Sequence, residues 1–538
     1  MTNLSTIDLT IVITWLLGMM ALGIWISRKS EQDTAQDYFL ASKSLPWWAV
    51  GGSLIASNIS AEQFIGMSGA GFASGMAIAA YELMAAITLL VVAKYFLPVF
   101  IKAEIYTMPQ FLEKRFDHRV RLILSIFWVF LFIFVNITSV LYLGSLAINK
   151  IMGIPIFYAI VGLAVYSATF SVTGGLKAVV WTDVVQVVVL IFGGLVSTYM
   201  VLNAVGGGFF SGLETLVAKA PDKFDMILDR SNPEYSNLPG ISVLIGGMWI
   251  ANLYYWGNNQ YIIQRALASK SIAEAQKGTA FAAMVKVILP IIVVVPGIAA
   301  YVLNADIAKP DEAYPWVLSN YVGVGFKGIA LAALIAAIGS SISSMVNSAA
   351  TIFTLDIYRP LWMKQDIQQN QLLNTDQHDR PQLTVKEENH LVRVGKLVSL
   401  LCIIIGVIIA PSLGSLDQAF QYIQEYTGFV SPGIVAVFLL GMFWKRTSTK
   451  AALTAVILAI PVSLIFKFGT PWIPFMNRMG LSFLLLSAVI IVISMIDNKR
   501  DDRKAIYFES SLFKTSNSFN FMGSLVVLAV AAIYYFFW

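Results

Sequence analysis

The chain has 538 residues, of which 57% are hydrophobic and only 12% charged, against roughly 25% charged in a soluble globular protein. With a mean hydropathy of +0.73 and apolar runs recurring from residue 8 to Trp538, it reads as one all-α polytopic membrane domain. The net charge of +5 does not mark a nucleic-acid surface, because the lysines and arginines sit in short loops beside apolar runs. Cys402 is the single cysteine, and His118, His378 and His390 fall in or beside hydrophilic loops. A disulfide framework and a thiolate or imidazole metal site are thereby excluded.

A spanning helix needs about 20 mostly apolar residues. Fourteen such spans are expected, near 8–27, 47–73, 76–101, 120–148, 155–173, 179–203, 241–264, 279–304, 327–355, 391–410, 417–444, 450–468, 480–496 and 518–537. The first has no basic stretch ahead of it and is followed by Arg28 and Lys29, so it is a retained span and not a cleaved signal.

The second span is the first irregular one. Ser57, Asn58, Glu62 and Gln63 crowd its middle between glycines, and such groups are expensive at mid-bilayer unless they face a cavity. Unwound backbone is tolerated at that depth only where it lines a cavity or binds something. The third span opens on Tyr81 and Glu82, and Asp183 enters the sixth. The seventh repeats the pattern of the second, with Asn252, Tyr254, Tyr255, Trp256, Gly257, Asn258 and Asn259 in a row. Two such clusters, five spans apart and opposite in orientation, point to an inverted repeat with solute and ion held at the midplane by discontinuous helices. Lys286 lies in the eighth span, GSSISSMVNS in the ninth, and the eleventh is polar, aromatic and broken by Gly428 and Pro432.

Ser340 and Ser341 follow Ala337 by three and four residues, so both hydroxyls share a helix face with its carbonyl. With carbonyls freed near Ala56–Ile59 they compose an uncharged five-oxygen cage suited to Na⁺. On chemistry alone, proton coupling through Glu82 or Asp183 stays open.

Alternate loops differ in basic charge, which sets orientation. One set carries Arg28, Lys29, Lys43, Lys102, Lys114, Arg115, Arg119, Lys177, Arg265, Lys270, Lys277, Arg359, Lys364, Arg380 and Lys386, and continues through Lys445–Lys450 and Lys499–Lys514. The other holds scattered ones, with Lys219, Lys223 and Arg230 set against five acids in loop 204–240. Both termini are therefore expected outside the cytoplasm, in a multi-pass cell (inner) membrane protein. The Gln- and Asn-rich stretch 360–390 reads as a flexible cytoplasmic connector. An enzyme is not indicated: there is no intramembrane histidine, cysteine pair or HExxH, and a Lys286–serine pair is the only candidate.

Five stretches, SLIASNISAEQFIGMSGAGFASG, SVTGGLKAVVWTDVVQ, ANLYYWGNNQYIIQR, SSISSMVNSAATIFTLDIY and AFQYIQEYTGFVSPGI, occur in this order. In them the chain resembles the sodium:solute symporter family over nearly its whole length, and within that family its sodium/galactose-type sugar transporters. The resemblance implies a leucine-transporter-like fold: a five-plus-five inverted repeat at 47–203 and 241–444, one helix before it (8–27) and three after (450–537). It implies Na⁺ as coupling ion, one per sugar, on the carbonyls of Ala56, Ile59 and Ala337 and the hydroxyls of Ser340 and Ser341, with Asp183 on the inward exit path. It places a hexose among Gln63, Glu82, Asn252, Lys286 and Gln424. Tyr255 becomes the inner gate, stacked on the sugar ring, and Met67, Tyr81 and Phe420 close the outer side. A single chain suffices for such function, with a dimer left open. Ala85 stands where the sugar transporters carry a serine, which unsettles the choice of hexose. No arginine is visible deep in the core spans to clamp a carboxylate, which weakens amino-acid, sialate or pantothenate transport, but Lys286 could neutralise an acid, so these stay alternatives beside inositol.

Overall fold

The computed structural model describes residues 4–29, 40–362, 385–415, 419–497 and 501–538. Every regular element among them is helical, and the one β interaction is an isolated bridge between Leu45 and Ser269. The connector expected at 360–390 lies outside the described residues over 363–384.

Helix α1 (Thr6–Lys29) is peripheral, with 17% of its apolar window buried. Trp47–Asn58 forms α2, which ends where Ile59 turns to extended backbone (φ −74°, ψ 97°). The chain re-enters helix as α3 (62–74), whose first turns, Glu62–Met67, are π-wound. Gly75 breaks it again at φ +71°, a backbone conformation that glycine adopts without the Cβ penalty; α4 (75–102) follows directly. Next come α5 (His118–Met152) and α6 (Ile156–Gly206). The second discontinuous segment is α7 (247–258), π-wound over Tyr254–Asn258, then extended Asn259, then α8 (Gln260–Leu267). The rest are α9 (Ile272–Val302), α10 (Phe326–Trp362), α11 (Val385–Gly414), α12 (Ala419–Thr427), α13 (Ser431–Phe443), α14 (Thr449–Gly469), α15 (Phe475–Asp497) and α16 (Asn517–Phe536).

Ten described helices are long and apolar enough to cross a membrane, eleven if α12 and α13, bent by 49° at Gly428–Val430, count as one span. Fourteen is the expectation for unbroken helices, and the difference falls at the irregular places. α3 runs on into α4, the 241–264 span is cut into short pieces, and the expected pair 155–173 and 179–203 falls in the single helical stretch α6. Leu176–Gly206 of that stretch passes as a span, while Ile156–Thr169 is a shorter apolar helix.

The axis of the molecule is α10, 94% buried over its apolar window. Its N-terminus is capped from outside the repeat: Asp8 of α1 accepts from the Gly325 and Gly328 N–H groups, 2.8 Å each. α2 crosses α9 almost backbone to backbone, since a Cβ on Gly51 would stand 2.5 Å from the Gly278 carbonyl oxygen. Small residues permit such approach where the lipid supplies no hydrophobic drive. The start of α2 is also tied to the α8–α9 turn, because Lys270 N–H donates to the Leu45 carbonyl and Trp47 N–H to Glu274 Oε2 (2.6 Å).

Two basic residues counted above as loop charges are corrected here. Arg115 is fully buried and donates to the carbonyls of Gly441 (2.7 Å) and Thr447 (2.9 Å). Arg265, also fully buried, lies in α8 and belongs to the core.

Candidate functional site

A break at membrane depth leaves main-chain groups without helical partners, and here side chains take them up. Ser60 N–H donates to Gln63 Oε1 (3.1 Å), and Glu62 N–H to Ser60 Oγ (3.2 Å). Gln63 is thereby fixed by the break it sits beside. The break opens on a cavity of about 60 Å³ walled by α3, α4, α7, α9 and α12 together with residues of α2, α5, α13 and α15, room for roughly four to six water centres.

All six residues expected to meet the solute line this cavity: Gln63, Glu82, Asn252, Tyr255, Lys286 and Gln424. Lys286 pairs with Glu82 and also donates to Asn58 Oδ1; its ammonium lies 5.1 Å from the Trp256 ring. Asn58 Nδ2 donates to the Tyr255 hydroxyl (3.0 Å), which accepts in turn from Tyr261. A chain of polar groups thus runs from Glu82 through the α2 break to the aromatic pair on α7 and α8. Asn252 donates to the Met248 carbonyl one turn back (3.1 Å), leaving Oδ1 for the cavity. Because Lys286 is balanced by Glu82, the wall offers no unpaired cation.

Of the gate residues, Tyr81 and Phe420 line the cavity and meet edge-on, ring centres 5.1 Å apart at 85°. Met67 is fully buried but not on the cavity wall. Tyr255 packs edge-on to both Trp256 (5.1 Å) and Tyr261 (5.8 Å). Ala85 lines the wall as expected, adding no polar atom.

Four amide or carboxyl side chains of the wall were not assigned to the solute by sequence: Asn58, Glu62, Asn136 and Asn259. Three of them stand inside the polar clusters already noted. Asn136, an amide in an otherwise apolar run, carried the same signal singly. One carboxylate oxygen of Glu62 is buried without a hydrogen-bond partner.

The five residues of the expected ion cage, Ala56, Ile59, Ala337, Ser340 and Ser341, are all buried at the junction of α2 and α10. Ser341 Oγ reaches across to the Ser57 carbonyl at 3.2 Å, so a hydroxyl of α10 and the carbonyls of the α2 end share one point. The neighbouring serines differ in duty: Ser344 bonds back to the Ser340 carbonyl (2.8 Å), Ser343 reaches the Ser167 carbonyl (3.0 Å) and Ser348 reaches Gln264 Oε1 (2.8 Å).

Ser340 is engaged with α6. Its hydroxyl donates to Asp183, which also accepts from Ser53 (2.5 Å), Ser57 (3.4 Å) and Arg265 (3.4 Å). Arg265 further donates to Ser53 Oγ (2.8 Å), the Tyr261 carbonyl and Ser344. The expectation that no arginine lies deep in the core is thus overturned. A buried carboxylate needs a paired cation, and Arg265 is the partner that sequence reading placed in a loop. Its position beyond an apolar turn of α8 was the available signal. It does not line the solute cavity.

Discontinuous helices converging on a polar midplane cavity and a hydroxyl–carbonyl junction define a secondary transporter of the leucine-transporter-like architecture. The comparisons narrow this class. Residues 38–377 and 380–459 match the model of the sodium:solute symporter family. A sodium/glucose cotransporter of Vibrio parahaemolyticus is 51% identical over 100% of this chain and 99% of its own length. A sodium/myo-inositol cotransporter 2 of Bos taurus is 33% identical over 85% of this chain and 69% of its own. Among solved structures, a substrate-bound, outward-open Na⁺-coupled sialic acid symporter superposes with TM-score 0.77 at 25% identity, covering 91% of this chain and 98% of that one. A nucleobase-cation-symport-1 family transporter, at 15% identity and TM-score 0.55 over 92% and 98% of the two chains, shares the fold. The chain belongs to the sodium:solute symporter family. It is a multi-pass Na⁺-coupled membrane symporter.

Proposed function

We propose that this symporter couples inward flow of Na⁺ to uptake of a neutral hexose of the galactose or glucose type, one Na⁺ per sugar. The observation that carries the reading is the cavity beside the α2 break, in which amides, a balanced Lys286–Glu82 pair and aromatic edges converge. Amides and a carboxylate exchange hydrogen bonds with polyol hydroxyls, and an aromatic face suits the apolar side of a pyranose. An anionic solute is disfavoured because Lys286 is already neutralised and Glu62 adds a second carboxyl to the wall. The Vibrio relative named for glucose supports the same class. The bovine relative named for myo-inositol, together with Ala85, supports a second reading in which a cyclic polyol is the solute.

In this reading the carbonyls of Ala56, Ile59 and Ala337 and the hydroxyls of Ser340 and Ser341 hold Na⁺. Ser341 lets go of the Ser57 carbonyl to ligate it, and the ion draws α10 against the α2 end. Gln63, Glu82, Asn252, Lys286 and Gln424 hold the sugar, Tyr255 gates the inner side, and Tyr81 and Phe420 gate the outer. Asp183, hydrogen-bonded to Ser340, receives the ion on its way inward. The repeats are 47–203 and 241–444, and both termini face away from the cytoplasm across the cell (inner) membrane. A single chain is the transporting unit. A charge moving down 100 mV gains about 2.3 kcal/mol, and a tenfold gradient adds about 1.4 kcal/mol. Together these support about 500-fold accumulation at one ion per sugar.

The test is uptake of a labelled panel of hexoses, myo-inositol and sialate into proteoliposomes, with an inward Na⁺ gradient or K⁺ in its place. Na⁺-dependent overshoot of galactose or glucose is the expected result. Overshoot of an acid alone would discard the sugar reading while keeping the ion site.

A further inference from the structure

On the membrane-facing surface, far from the solute cavity in the fold, α1 and α6 enclose a groove of about 310 Å³. Leu22, Ile26 and Val185 make its apolar floor, and Trp25 and Trp181 flank it. Trp181 packs edge-on to Trp48 at 5.3 Å, and Trp48 and Trp25 are 41% and 54% exposed. Tryptophans gathered at one end of spanning helices mark the level of the lipid headgroups.

Two cations share this groove, Lys29 at the last turn of α1 and Lys177 on α6. The Lys29 ammonium folds back over the Trp25 ring at 4.1 Å, toward the groove and not away along the chain. Among the described residues no carboxylate pairs with either lysine. Two ammoniums at one groove repel, and the repulsion is relieved by an anion seated between them. At headgroup depth, above an apolar floor that only a hydrocarbon chain would cover, the anion with matching chemistry is a lipid phosphate.

We propose that this groove binds one anionic phospholipid, its headgroup between Lys29 and Lys177 and an acyl chain laid along Leu22, Ile26 and Val185. The lipid would brace α1, which is otherwise little buried and whose Asp8 caps the helix that carries the ion-site serines.

The test uses the full chain, stripped of lipid in detergent and titrated in native mass spectrometry with phosphatidylglycerol, phosphatidylcholine or inorganic phosphate. At roughly fivefold per lysine, one phosphatidylglycerol is expected to be held about 25-fold more tightly than phosphatidylcholine. The preference should vanish in the Lys29→Gln/Lys177→Gln variant. Both lysines reach the surface, so the variant keeps its fold, checked by an unchanged Tm. Equal retention of the two lipids, or a preference that survives in the variant, overturns the proposal. Phosphate bound as tightly as phosphatidylglycerol would make this a free-anion site and overturn it as well. A dimer lost in the variant would put a second copy in the groove, with the same consequence.

Discussion

Replacing Lys286 by methionine keeps the stem's volume and removes the charge at the centre of the solute cavity. Lys286 and Glu82 are 1% and 4% exposed at their side chains and pair directly, with Asn58 as the second acceptor. Removing one partner of a buried pair costs about 3–5 kcal/mol, because the other charge is left uncompensated. Removing both with polar or apolar residues of similar shape costs far less. Lys286→Met should therefore lower the Tm of the detergent-solubilised protein markedly, and Glu82→Gln/Lys286→Met should regain most of it. The cycle of wild type, two single variants and the double measures this coupling without assigning a share to either residue.

Sugar affinity must follow a different pattern. A hydrogen bond from a sugar hydroxyl to a carboxylate is worth about 1.5–3 kcal/mol, so Glu82→Gln should weaken binding by roughly 10- to 150-fold. The double variant should bind no better than the weaker single one, although it is the more stable protein. Stability regained together with sugar binding would refute a solute role for the pair and leave it a structural tie. A double variant no more stable than Lys286→Met would refute the coupling itself.

Three further outcomes are expected. Ser341→Ala should abolish Na⁺ stimulation of uptake in a protein that stays folded, with Tm lowered only modestly by the lost hydrogen bond to Ser57, and normal coupling in that variant would remove the junction of α2 and α10 as the ion site. Gln63→Glu keeps the acceptor for Ser60 N–H but loses the amide donor, so sugar affinity should fall at least several-fold in binding assays with Na⁺ affinity little changed. At the start of α5, Asp117 caps the helix through Arg119 N–H (3.0 Å) and Val120 N–H (3.1 Å). Burial raises its carboxyl, but the hydrogen bonds from Val120 and Arg119 outweigh this and hold it below the ordinary carboxylate value. Its stabilisation is therefore full above the ordinary carboxylate pKa and fades as pH falls through the lowered one. Asp117→Ala should cost about 1 kcal/mol at neutral pH and nothing well below that range, as read from Tm against pH.

What was readable in the sequence is what single residues reveal about depth. An amide or carboxylate in an apolar run declares a cavity whatever its neighbours do, and so Gln63, Glu82, Asn252 and Lys286 were found before any geometry. The unwinding at Ile59 and Asn259 followed from the same clusters. What was not readable depends on which way a helix face turns. Met67 lies four residues from Gln63, yet it is buried away from the cavity wall. Ser340 and Ser341 look equivalent in sequence, but the one meets Asp183 and the other the Ser57 carbonyl. Arg265 was hidden by its proximity to Lys270 and Lys277, and only the packing of α8 against α2 shows that its charge points inward.

The two sites share one short piece of chain. Ala56, Ser57 and Ile59 stand at the junction proposed for the ion, Asn58 and Gln63 at the cavity proposed for the solute, with Ile59 extended between α2 and the next helical turn. A ligand that orders the α2 end from the α10 side fixes Ser60 and Gln63 for the other, and the reverse holds with equal strength, since coupling between binding sites is reciprocal. Asp183 and Arg265 fasten the same segment through Ser53 and Ser57. The α2 break is therefore held by four partners: the Ser341 hydroxyl of α10, Lys286 of α9 and the Tyr255 hydroxyl of α7, both on Asn58, and the Asp183 carboxylate of α6. Under the proposed function, Na⁺ acts on the Ser341 contact and the sugar on the contacts of Asn58. Neither ligand alone satisfies both, which is the physical requirement for moving the two together.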